Sequence, residues 1–546
     1  MGNLYKDSSK PVFYYKADDI KSKQEYDFPI NRSRKGIKQN TIKIVNKNVR
    51  LESVYCNVLL SLVILSMVYL GLTSPYNMDD VWCYSFSHYI VKGMLPYRDF
   101  NVIVGPLSIY LYALPLYFQD NIYTFYIGGV ITDILTYILF FKIFNCFRKG
   151  EHLIAKTCAS AVCIILSSWM TKTSYNTLME LFCLAMVYLC LTSASKNIIE
   201  VRTTVLLSIL SSFGILTKQS TGLFLACAAF FSICIISSKL GVKYILKNIL
   251  IYIVGTSGII ALAIAWMIKA GIFDDFIDIN MGISMYTVSN THIIACLVVY
   301  LTLFASTTFM MVRLVLKTRA SDNELHFFQK HDPRFVIIWL FHIFMNIAIY
   351  PLPNFGHIIT TWFLSLVLMS LYMYYFQDEL IAMDKIGTIL SLLFILAPIG
   401  WYIISAGMFD DILLPVQVEA KTQTCYEPDH IYTYLDEHTD LINDYINSDP
   451  VHKYQIIHET AVLCNIKNDD RYTKYLDMFN DGNLGTNSAL ELVQNSDCDY
   501  FIVSADQNDV FWQYNSDAMT YIYSLEKVAT INCKNGPAFA VYKNDR

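Results

Sequence analysis

The chain has 546 residues, of which 54% are hydrophobic and only 16% are charged, and its net charge is −5. A soluble globular chain carries about 25% charged residues, so this composition indicates a protein built for lipid. The small negative charge gives no support for nucleic-acid binding, and the absence of a Gly-rich phosphate loop followed by Lys-Ser or Lys-Thr argues against an ATP-driven pump.

The first 50 residues are polar and contain no cleavable signal peptide. A run of basic residues precedes the first apolar segment. These residues are Arg32, Arg34, Lys35, Lys38, Lys43, Lys47 and Arg50. Basic flanks stay on the cytoplasmic side of a membrane, so residues 1–50 are predicted to form a cytoplasmic tail.

Apolar segments suited to crossing a bilayer follow from residue 51 to about 408, since a spanning helix needs roughly 20 apolar residues. The predicted spans are 53–72, 122–145, 153–170, 178–193, 201–216, 221–237, 248–269, 292–315, 335–350, 358–376 and 386–405. Segment 101–118 is also apolar but is interrupted by glycine and proline. If it does not cross, every later basic cluster falls in the cytoplasm. We therefore predict a polytopic α-helical membrane protein of about 11 transmembrane helices. Residues 73–121 form one large outer loop with a juxtamembrane helix.

The C-terminal part, residues 409–546, is charged and lacks a spanning run. Period-two patterns predict strands at Tyr454–Glu459, Tyr500–Ala505 and Ala538–Tyr542, and amphipathic patterns predict helices at Tyr432–Ile446 and Ser488–Gln494. Strands alternating with helices indicate a small α/β domain, and the predicted topology places it outside the cytoplasm.

Four cysteines lie in this C-terminal part. They are Cys425, Cys464, Cys498 and Cys533. An extracytoplasmic location permits disulfides among them, but the sequence does not give the pairing.

An acidic pair, Asp79 and Asp80, lies just beyond the first predicted span. Carboxylates are costly to hold beside hydrocarbon, so such a pair is read first as functional. Other outer loops bring further polar residues to the same side, although solvated loop charges would give a similar pattern. These residues are Arg98, Asp99, Tyr175, Asn176, Glu180, Lys218, Gln219, Asp274, Asp275, Asp278, Asn354 and His357.

The chemistry open to these residues is sugar transfer from a lipid phosphate. Such an enzyme must deprotonate an acceptor hydroxyl and stabilise a departing phosphate. Asp79 or Asp80 is the candidate base, while Lys218, Arg98 and His357 are candidates for binding the donor phosphate. Glu180, Asn176 and Asp99 are candidates for binding the acceptor, or for a second carboxylate that holds acceptor or metal. Each has an ordinary alternative, such as helix capping or a snorkelling lysine.

Five short motifs resemble those of a known family. They are Asp79-Asp80, Leu95-Pro96-Tyr97-Arg98-Asp99, Gly105-Pro106-Leu107, Leu216-Thr217-Lys218-Gln219 and Pro353-Asn354-Phe355-Gly356-His357. Their order over about residues 50–405 resembles the GT-C membrane glycosyltransferases. Within that class it resembles the group of dolichyl-phosphate-mannose protein mannosyltransferases and the lipid A aminoarabinose transferase, glycosyltransferase families 39 and 83.

The resemblance implies a polyprenyl-phosphate sugar donor, an inverting displacement, and a first-outer-loop carboxylate as base, here Asp79 or Asp80 with a slight preference for Asp79. The chain departs from the family in its late outer loop, where Asn354 stands in place of the usual acidic residue. In the second outer loop, only Glu180 offers a carboxylate. Metal use varies across the fold, so a divalent metal cofactor is left open.

Three functions remain open from the sequence. The first is an extracytoplasmic glycosyltransferase in the cell membrane, whose acceptor is a glycan, lipid or protein. The second is a transporter or flippase of lipid-linked saccharide, a class that tends to show internal repeats; no repeat is evident here. The third is a non-catalytic cell-envelope assembly protein, which would function normally without Asp79 and Asp80.

Overall fold

The computed structural model covers much of the predicted membrane part and of the C-terminal part. The described residues are 58, 61, 62, 65, 78–100, 102, 104–147, 160, 173–281, 290–317, 332–349, 355–376, 440–449, 451–457, 489–505, 516–533 and 536–545. Apart from isolated positions, the predicted spans 53–72, 153–170 and 386–405 lie outside the described residues.

Two helices lie in the described part of the predicted first outer loop. Helix α1 (Met78–Val91) is followed by Gly93, whose positive φ of 84° allows the chain to reverse. Helix α2 (Pro106–Leu116) begins with a proline, which suits the first turn of a helix because no N–H is lost there. Its 11 residues span about 16 Å, roughly half of the hydrocarbon thickness. Helix α2 alone is therefore shorter than a bilayer-spanning helix, and the non-crossing of segment 101–118 stays a prediction.

Long apolar helices form the centre of the structure. Five are long and apolar enough to cross a membrane: α3 (Ile122–Phe147), α4 (Tyr175–Lys196), α6 (Gln219–Ser237), α7 (Val242–Ala270) and α9 (Asn290–Lys317). Shorter helices are α5 (Val201–Thr217), α8 (Phe273–Met281), α10 (Pro333–Met345) and α11 (Phe355–Tyr375), with 3-10 turns at Ser238–Leu240 and Asn346–Ile349. Except for α8, these helices coincide within a few residues with predicted spans. The described structure confirms a mostly helical chain with apolar spans, while the total of about 11 spans stays a prediction.

Helices α5 and α7 are joined by a row of hydrogen bonds, here called the hydroxyl seam. Small hydroxyl residues recur on one face of α5, which lets α7 approach closely. The bonds run from Thr204 Oγ1 to Asn248 Oδ1 (3.1 Å), from Ser208 Oγ to the Tyr252 carbonyl (3.2 Å), between Ser211 Oγ and Tyr252 Oη (2.6 Å), and from Ser212 Oγ to the Thr256 carbonyl (3.2 Å). Lipid competes with apolar packing between helices but not with such bonds, so the seam fixes α7 against α5.

Helices α5 and α6 pack at two glycines. A Cβ atom added to Gly222 would lie 2.2 Å from the carbonyl carbon of Gly214 and 2.3 Å from the nitrogen of Ile215. No side chain fits at that separation, so glycine at 222 is required by the approach of the two backbones.

Basic side chains gather at one end of the helix bundle. At one end, Arg334 at the start of α10 bonds to Asp332 and to the carbonyl of Cys146 at the end of α3. Arg313 and Lys317, near the end of α9, lie over the ring of Phe376, at 4.9 and 5.2 Å from its centroid. The ends of α3, α9 and α11 thus meet the start of α10 among basic side chains. That this end faces the cytoplasm stays a prediction from the positive-inside tendency.

The described C-terminal residues contain a four-stranded sheet in the order β1-β2-β4-β3. The strands are β1 (Tyr454–Ile457), β2 (Tyr500–Ser504), β3 (Lys527–Cys533) and β4 (Gly536–Lys543). Strands β1 and β2 are parallel, and the other pairs are antiparallel. Helices α12 (Ala489–Gln494) and α13 (Ser516–Ser524) pack on one face of the sheet, and residues 440–448 are also helical.

The predicted strands β1, β2 and β4 are all present, while β3 was not predicted. Strand β3 lies at the edge of the sheet and is largely exposed. Its stretch Ala529-Thr530-Ile531-Asn532-Cys533 alternates apolar and polar residues, so the sequence contained a period-two signal for this strand. The location of this part outside the cytoplasm, and its separation as a domain, stay predictions.

The thiol of Cys498 is buried and free within the described part of the chain. The Asn544 side-chain amide donates to the Cys498 carbonyl at 2.9 Å. Cys425, Cys464 and the side chain of Cys533 lie outside the described residues.

Replacing Gly222 tests the backbone contact between α5 and α6. We expect Gly222→Ala to lower the free energy of unfolding by about 1–3 kcal/mol, because overpacking of a filled interface costs that much. The midpoint of thermal unfolding in detergent, followed by circular dichroism, should fall by several degrees.

The matched control is Gly258→Ala on α7, where an added Cβ meets nothing within 4 Å. Alanine is favoured over glycine in a helix by up to about 1 kcal/mol, so this variant should be unchanged or slightly more stable. Equal effects of the two substitutions would contradict the packing argument.

Candidate functional site

Lys218 occupies the joint between α5 and α6. Its backbone is extended, with φ −145° and ψ 101°, so a single residue links the two helices. The side chain is half-buried. Its Nζ atom donates to Asn176 Oδ1 at 3.2 Å and lies 5.2 Å from the centre of the Tyr175 ring. The structure thus brings together Lys218 and Asn176, two of the predicted site residues.

The start of α4 is fixed by a capping box. Ser174 Oγ accepts hydrogen bonds from the backbone N–H groups of Asn176 (3.2 Å) and Thr177 (3.4 Å), and the Thr177 hydroxyl accepts from the Ser174 N–H. Tyr112 on α2 donates its hydroxyl to the Ser174 carbonyl at 3.2 Å. The juxtamembrane helix therefore supports the turn that presents Asn176 to Lys218.

The first outer loop also contacts the Lys218 joint through its backbone. The N–H of Gly105 donates to the carbonyl of Thr217 at 3.0 Å. A Cβ on Gly105 would lie 2.0 Å from the carbonyl oxygen of Leu216, so only glycine permits this contact. The motifs around Gly105 and Lys218, which the sequence predicted to share one side, thus touch each other.

The starts of α4 and α6 and the end of α5 meet at this joint, and the end of α5 carries a partial negative charge. Helix α4 begins at Tyr175 and helix α6 at Gln219, and each N-terminus carries a partial positive charge from the helix dipole. The ammonium of Lys218 lies beside both. Ser174 already accepts the N–H groups of Asn176 and Thr177. An anion such as phosphate would therefore be attracted here by the Lys218 ammonium and the positive ends of the two helix dipoles.

Burial lowers the pKa of Lys218 to about 8, because an ammonium group is poorly solvated away from water. The residue is therefore charged at neutral pH and loses its charge as the pH rises through about 8. An anion bound beside it would favour the charged form.

Further polar side chains lie buried near the joint. Glu180 lies one turn beyond Asn176 on the same face of α4 and is only 3% exposed. The hydroxyls of Thr217 and Thr221, on either side of Lys218, are buried and have no hydrogen-bond partner among the described residues. Buried hydroxyls are usually bonded, so these two favour a polar ligand or water at the joint.

Arg98 and Asp99 form an ion pair with each other. Arg98 Nε and Nη2 each lie 2.9 Å from a carboxylate oxygen of Asp99, whose Oδ2 also accepts the N–H of Leu95 at 2.7 Å. The bond to Asp99 raises the pKa of Arg98, with a smaller contribution from Asp275 on α8. Burial, and then its neighbours Asp278 and Asp274, raise the pKa of Asp275.

The acidic pair and the late histidine lie at helix starts. Asp79 and Asp80 are in the first turn of α1, and His357 is in the first turn of α11. Their side chains lie outside the described residues, as does Asn354. Their roles stay predictions. No group of three or more His, Cys, Asp or Glu side chains suited to a metal ion occurs in the described part of the chain.

One polar cluster was missed by the sequence analysis. Asp120, before α3, accepts hydrogen bonds from His88 Nδ1 (2.8 Å to Oδ2) and Tyr84 Oη (3.2 Å) on α1, with Lys92 Nζ at 3.8 Å. Burial opposes ionisation, but these neighbours still lower the pKa of Asp120. The partners are separated by about 30 residues of sequence, so no local pattern reveals them.

The fold is similar to that of ArnT from Cupriavidus metallidurans. The ArnT crystal structure bound to undecaprenyl phosphate matches at TM-score 0.51 and 11% identity, covering 89% of this chain and 97% of ArnT. The apo structure matches at TM-score 0.52 and 10% identity, covering 90% and 98%. The oligosaccharyltransferase AglB from Archaeoglobus fulgidus, in complex with an inhibitory peptide and a dolichol-phosphate, matches at TM-score 0.41 and 10% identity, covering 90% and 74%.

No protein-family model matches the sequence, and no curated protein matches it. ArnT is an aminoarabinose transferase with a GT-C fold. The similarity to ArnT over nearly the whole of both chains shows that this chain has the GT-C fold, which confirms the fold expected from the five motifs.

The charge of Lys218 can be followed directly. Reductive methylation with ¹³C-formaldehyde in detergent gives a dimethyl signal for each accessible lysine, and the signal absent from Lys218→Arg identifies this residue. We expect its midpoint in a pH titration near 8. A midpoint at the ordinary lysine value, about 10.4, would contradict the desolvated joint.

Proposed function

We propose that the protein is an integral-membrane glycosyltransferase that moves a sugar from a polyprenyl-phosphate donor to an extracytoplasmic acceptor with inversion. The observation that carries the proposal is the half-buried ammonium of Lys218, which bonds to Asn176 near the starts of α4 and α6. The preceding residue, Thr217, accepts a hydrogen bond from Gly105 of the first outer loop. The similarity in fold to ArnT, which was crystallised with undecaprenyl phosphate, supports the class of donor.

Lys218 is proposed to bind the donor phosphate. When the bond between the anomeric carbon and the phosphate oxygen breaks, the electron pair leaves with that oxygen and the phosphate gains negative charge. An ammonium and two helix N-termini, fixed in advance in a poorly solvated place, stabilise this charge. Asn176 holds the ammonium in position through its Oδ1 atom. Arg98 and His357 are proposed to lie around the same phosphate.

Asp79 or Asp80 is proposed as the base. The acceptor oxygen forms a bond to the anomeric carbon on the face opposite the departing phosphate, and its proton passes to the carboxylate. Attack from that face inverts the configuration at the anomeric carbon. Glu180, Asn176 and Asp99 are proposed to orient the acceptor or to supply a second carboxylate.

Contacts between the first outer loop and the joint favour a shared site for base and phosphate. The Gly105 contact to Thr217 and the Tyr112 contact to Ser174 tie α2 to both sides of Lys218. The loop that carries Asp79 and Asp80 is therefore attached to the elements that carry the cation. Substrate groups held by each can then meet without a large movement of the chain.

Sugar transfer by purified protein tests this proposal. Radiolabelled polyprenyl-phosphate sugars of several kinds would be supplied with total cell-envelope extract as acceptor. We expect Asp79→Asn or Asp80→Asn to lose transfer by about 10²–10⁴-fold, as expected for loss of a general base. Lys218→Ala should lose about 10²–10³-fold, as for loss of one charge-stabilising group.

Lys218→Arg is the matched control because arginine keeps its charge at high pH. Wild-type transfer should fall as the pH rises through about 8, while the Lys218→Arg variant should show no fall tied to this residue. Full activity of both Asp79→Asn and Asp80→Asn would contradict the assignment of either aspartate as the base. Movement of lipid-linked sugar across liposomes without any transfer would favour a flippase instead.

Cysteine labelling tests whether the site faces outward. Phe118, beyond the end of α2, is 93% exposed, and Lys196 ends α4 at the opposite end of the bundle. In intact cells, Phe118→Cys should react with a membrane-impermeant maleimide, whereas Lys196→Cys should react only after permeabilisation. The native cysteines set the background, measured on the parent protein, and the reverse pattern would invert the topology.

A further inference from the structure

The C-terminal sheet carries a group of aromatic rings at its β1 edge. Tyr454 and Tyr500 are paired residues on the parallel strands β1 and β2. Their rings stack at 5.6 Å with an interplanar angle of 24°. Tyr445, in the helical segment 440–448, meets Tyr454 edge-on at 6.1 Å, and His452 meets Tyr500 edge-on at 5.1 Å. We call these four residues, together with Asp449, the tyrosine cluster.

The tyrosine cluster has a buried centre and an accessible rim. Tyr454 is buried, whereas Tyr445 and Tyr500 are half-exposed. The side chains of His452 and Asp449 are 41% and 38% exposed. A purely structural cluster would bury its rings, but here two tyrosines and two ionisable groups remain open to solvent.

Hydrogen-bonding groups surround the accessible rings. His452 Nδ1 lies 2.8 Å from Asp449 Oδ2, and this bond lowers the pKa of Asp449, so the carboxylate is charged at neutral pH. Lys543 on β4 is the paired neighbour of Tyr500 and is exposed. Because paired residues project to the same side of a sheet, Lys543 lies beside Tyr500 on the side of β4.

This combination matches the chemistry of a saccharide. A pyranose ring has an apolar C–H face, which packs on an aromatic ring, and a rim of hydroxyls, which need donors and acceptors. Tyr500 supplies the ring, and the hydroxyls of Tyr445 and Tyr500 together with Lys543 supply donors. The Asp449 carboxylate already accepts bonds from His452 and Tyr454 and supplies a further acceptor at the exposed rim. A site for a lipid tail would be apolar throughout and would not place a carboxylate at its rim.

We propose that the tyrosine cluster is a saccharide-binding site that holds the acceptor glycan; the assignment to the acceptor rests on the proposed function. The buried apolar cluster that contains Tyr454 and Ile456 of the sheet also contains Tyr97 and Phe100 of the first outer loop. The sheet face that carries the rings is therefore continuous with the loop that carries the proposed base. A glycan held there lies on the side of the protein where transfer takes place.

Binding of labelled tetrasaccharides to the full-length protein in detergent tests the site. The probes are fluorescent tetramers of β-1,4-linked glucose, β-1,4-linked N-acetylglucosamine and α-1,6-linked mannose, with binding followed by fluorescence anisotropy. We expect at least one to bind the wild type. Tyr500→Ala should weaken that binding at least about tenfold through loss of the stacking ring, while Tyr500→Phe should stay within about threefold of the wild type.

Two further variants separate binding from folding. Asp449→Asn removes the charged acceptor and should weaken binding at a temperature where its circular dichroism spectrum matches that of the wild type. Tyr523→Ala is the control variant. Tyr523 and Tyr542 form a ring pair among the residues packed on the other face of the sheet, so this variant should bind saccharide as the wild type does. Failure of all three probes to bind at about 10 mM, or equal binding by Tyr500→Ala and Tyr500→Phe, would overturn the proposal.

Failure of the saccharide-binding site can be distinguished from failure of the proposed glycosyltransferase function, because binding is measured without any sugar donor. If a tetrasaccharide binds in a way that depends on Tyr500 but no donor supports sugar transfer, the saccharide-binding site is supported and the glycosyltransferase function is contradicted. If sugar transfer occurs and Tyr500→Ala leaves the KM for the acceptor unchanged, the saccharide-binding site is contradicted and the glycosyltransferase function is supported.

Discussion

Backbone contact at the joint between α5 and α6 is the constraint on which the rest of the site depends. Gly222 lets α6 pack against α5, and Gly105 lets the first outer loop bond to Thr217 in the same place. Between these two contacts the chain has one extended residue, Lys218, whose side chain is directed to Asn176. In a membrane, where apolar packing between helices gains little over packing with lipid, such close approaches are a principal source of specificity.

A half-buried lysine is a costly feature, and its surroundings explain why it is stable. Asn176 accepts a hydrogen bond from the ammonium, and the Tyr175 ring lies within cation–π distance. These partners reduce the cost of burial but do not remove it, since the pKa stays below that of a solvated lysine. The residual cost is what gives an anionic ligand its advantage, because binding restores the lost solvation of the charge.

The sequence predicts the helices well because lipid demands long apolar runs, and the charge pattern predicts that α2 does not cross. The sequence predicts contacts less well where the two partners are distant along the chain. Asn176 and Lys218 were both predicted as site residues, but their contact spans 42 positions and needs the packed helices. The link between His88 and Asp120 was missed for the same reason. Strand β3 was missed although its stretch Ala529-Thr530-Ile531-Asn532-Cys533 alternates apolar and polar residues.

The hydroxyl seam between α5 and α7 has a consequence for handling the protein. About half of the residues of α7 are exposed, so a bilayer would cover much of this helix with acyl chains. Detergent tails can replace acyl chains around it at little cost, but they cannot substitute for the bonds that Ser208, Ser211 and Ser212 make to α7. Helix α7 should therefore keep its place beside the Lys218 joint when the bilayer is exchanged for a micelle, so that solubilised protein remains a fair representative of the membrane-embedded form.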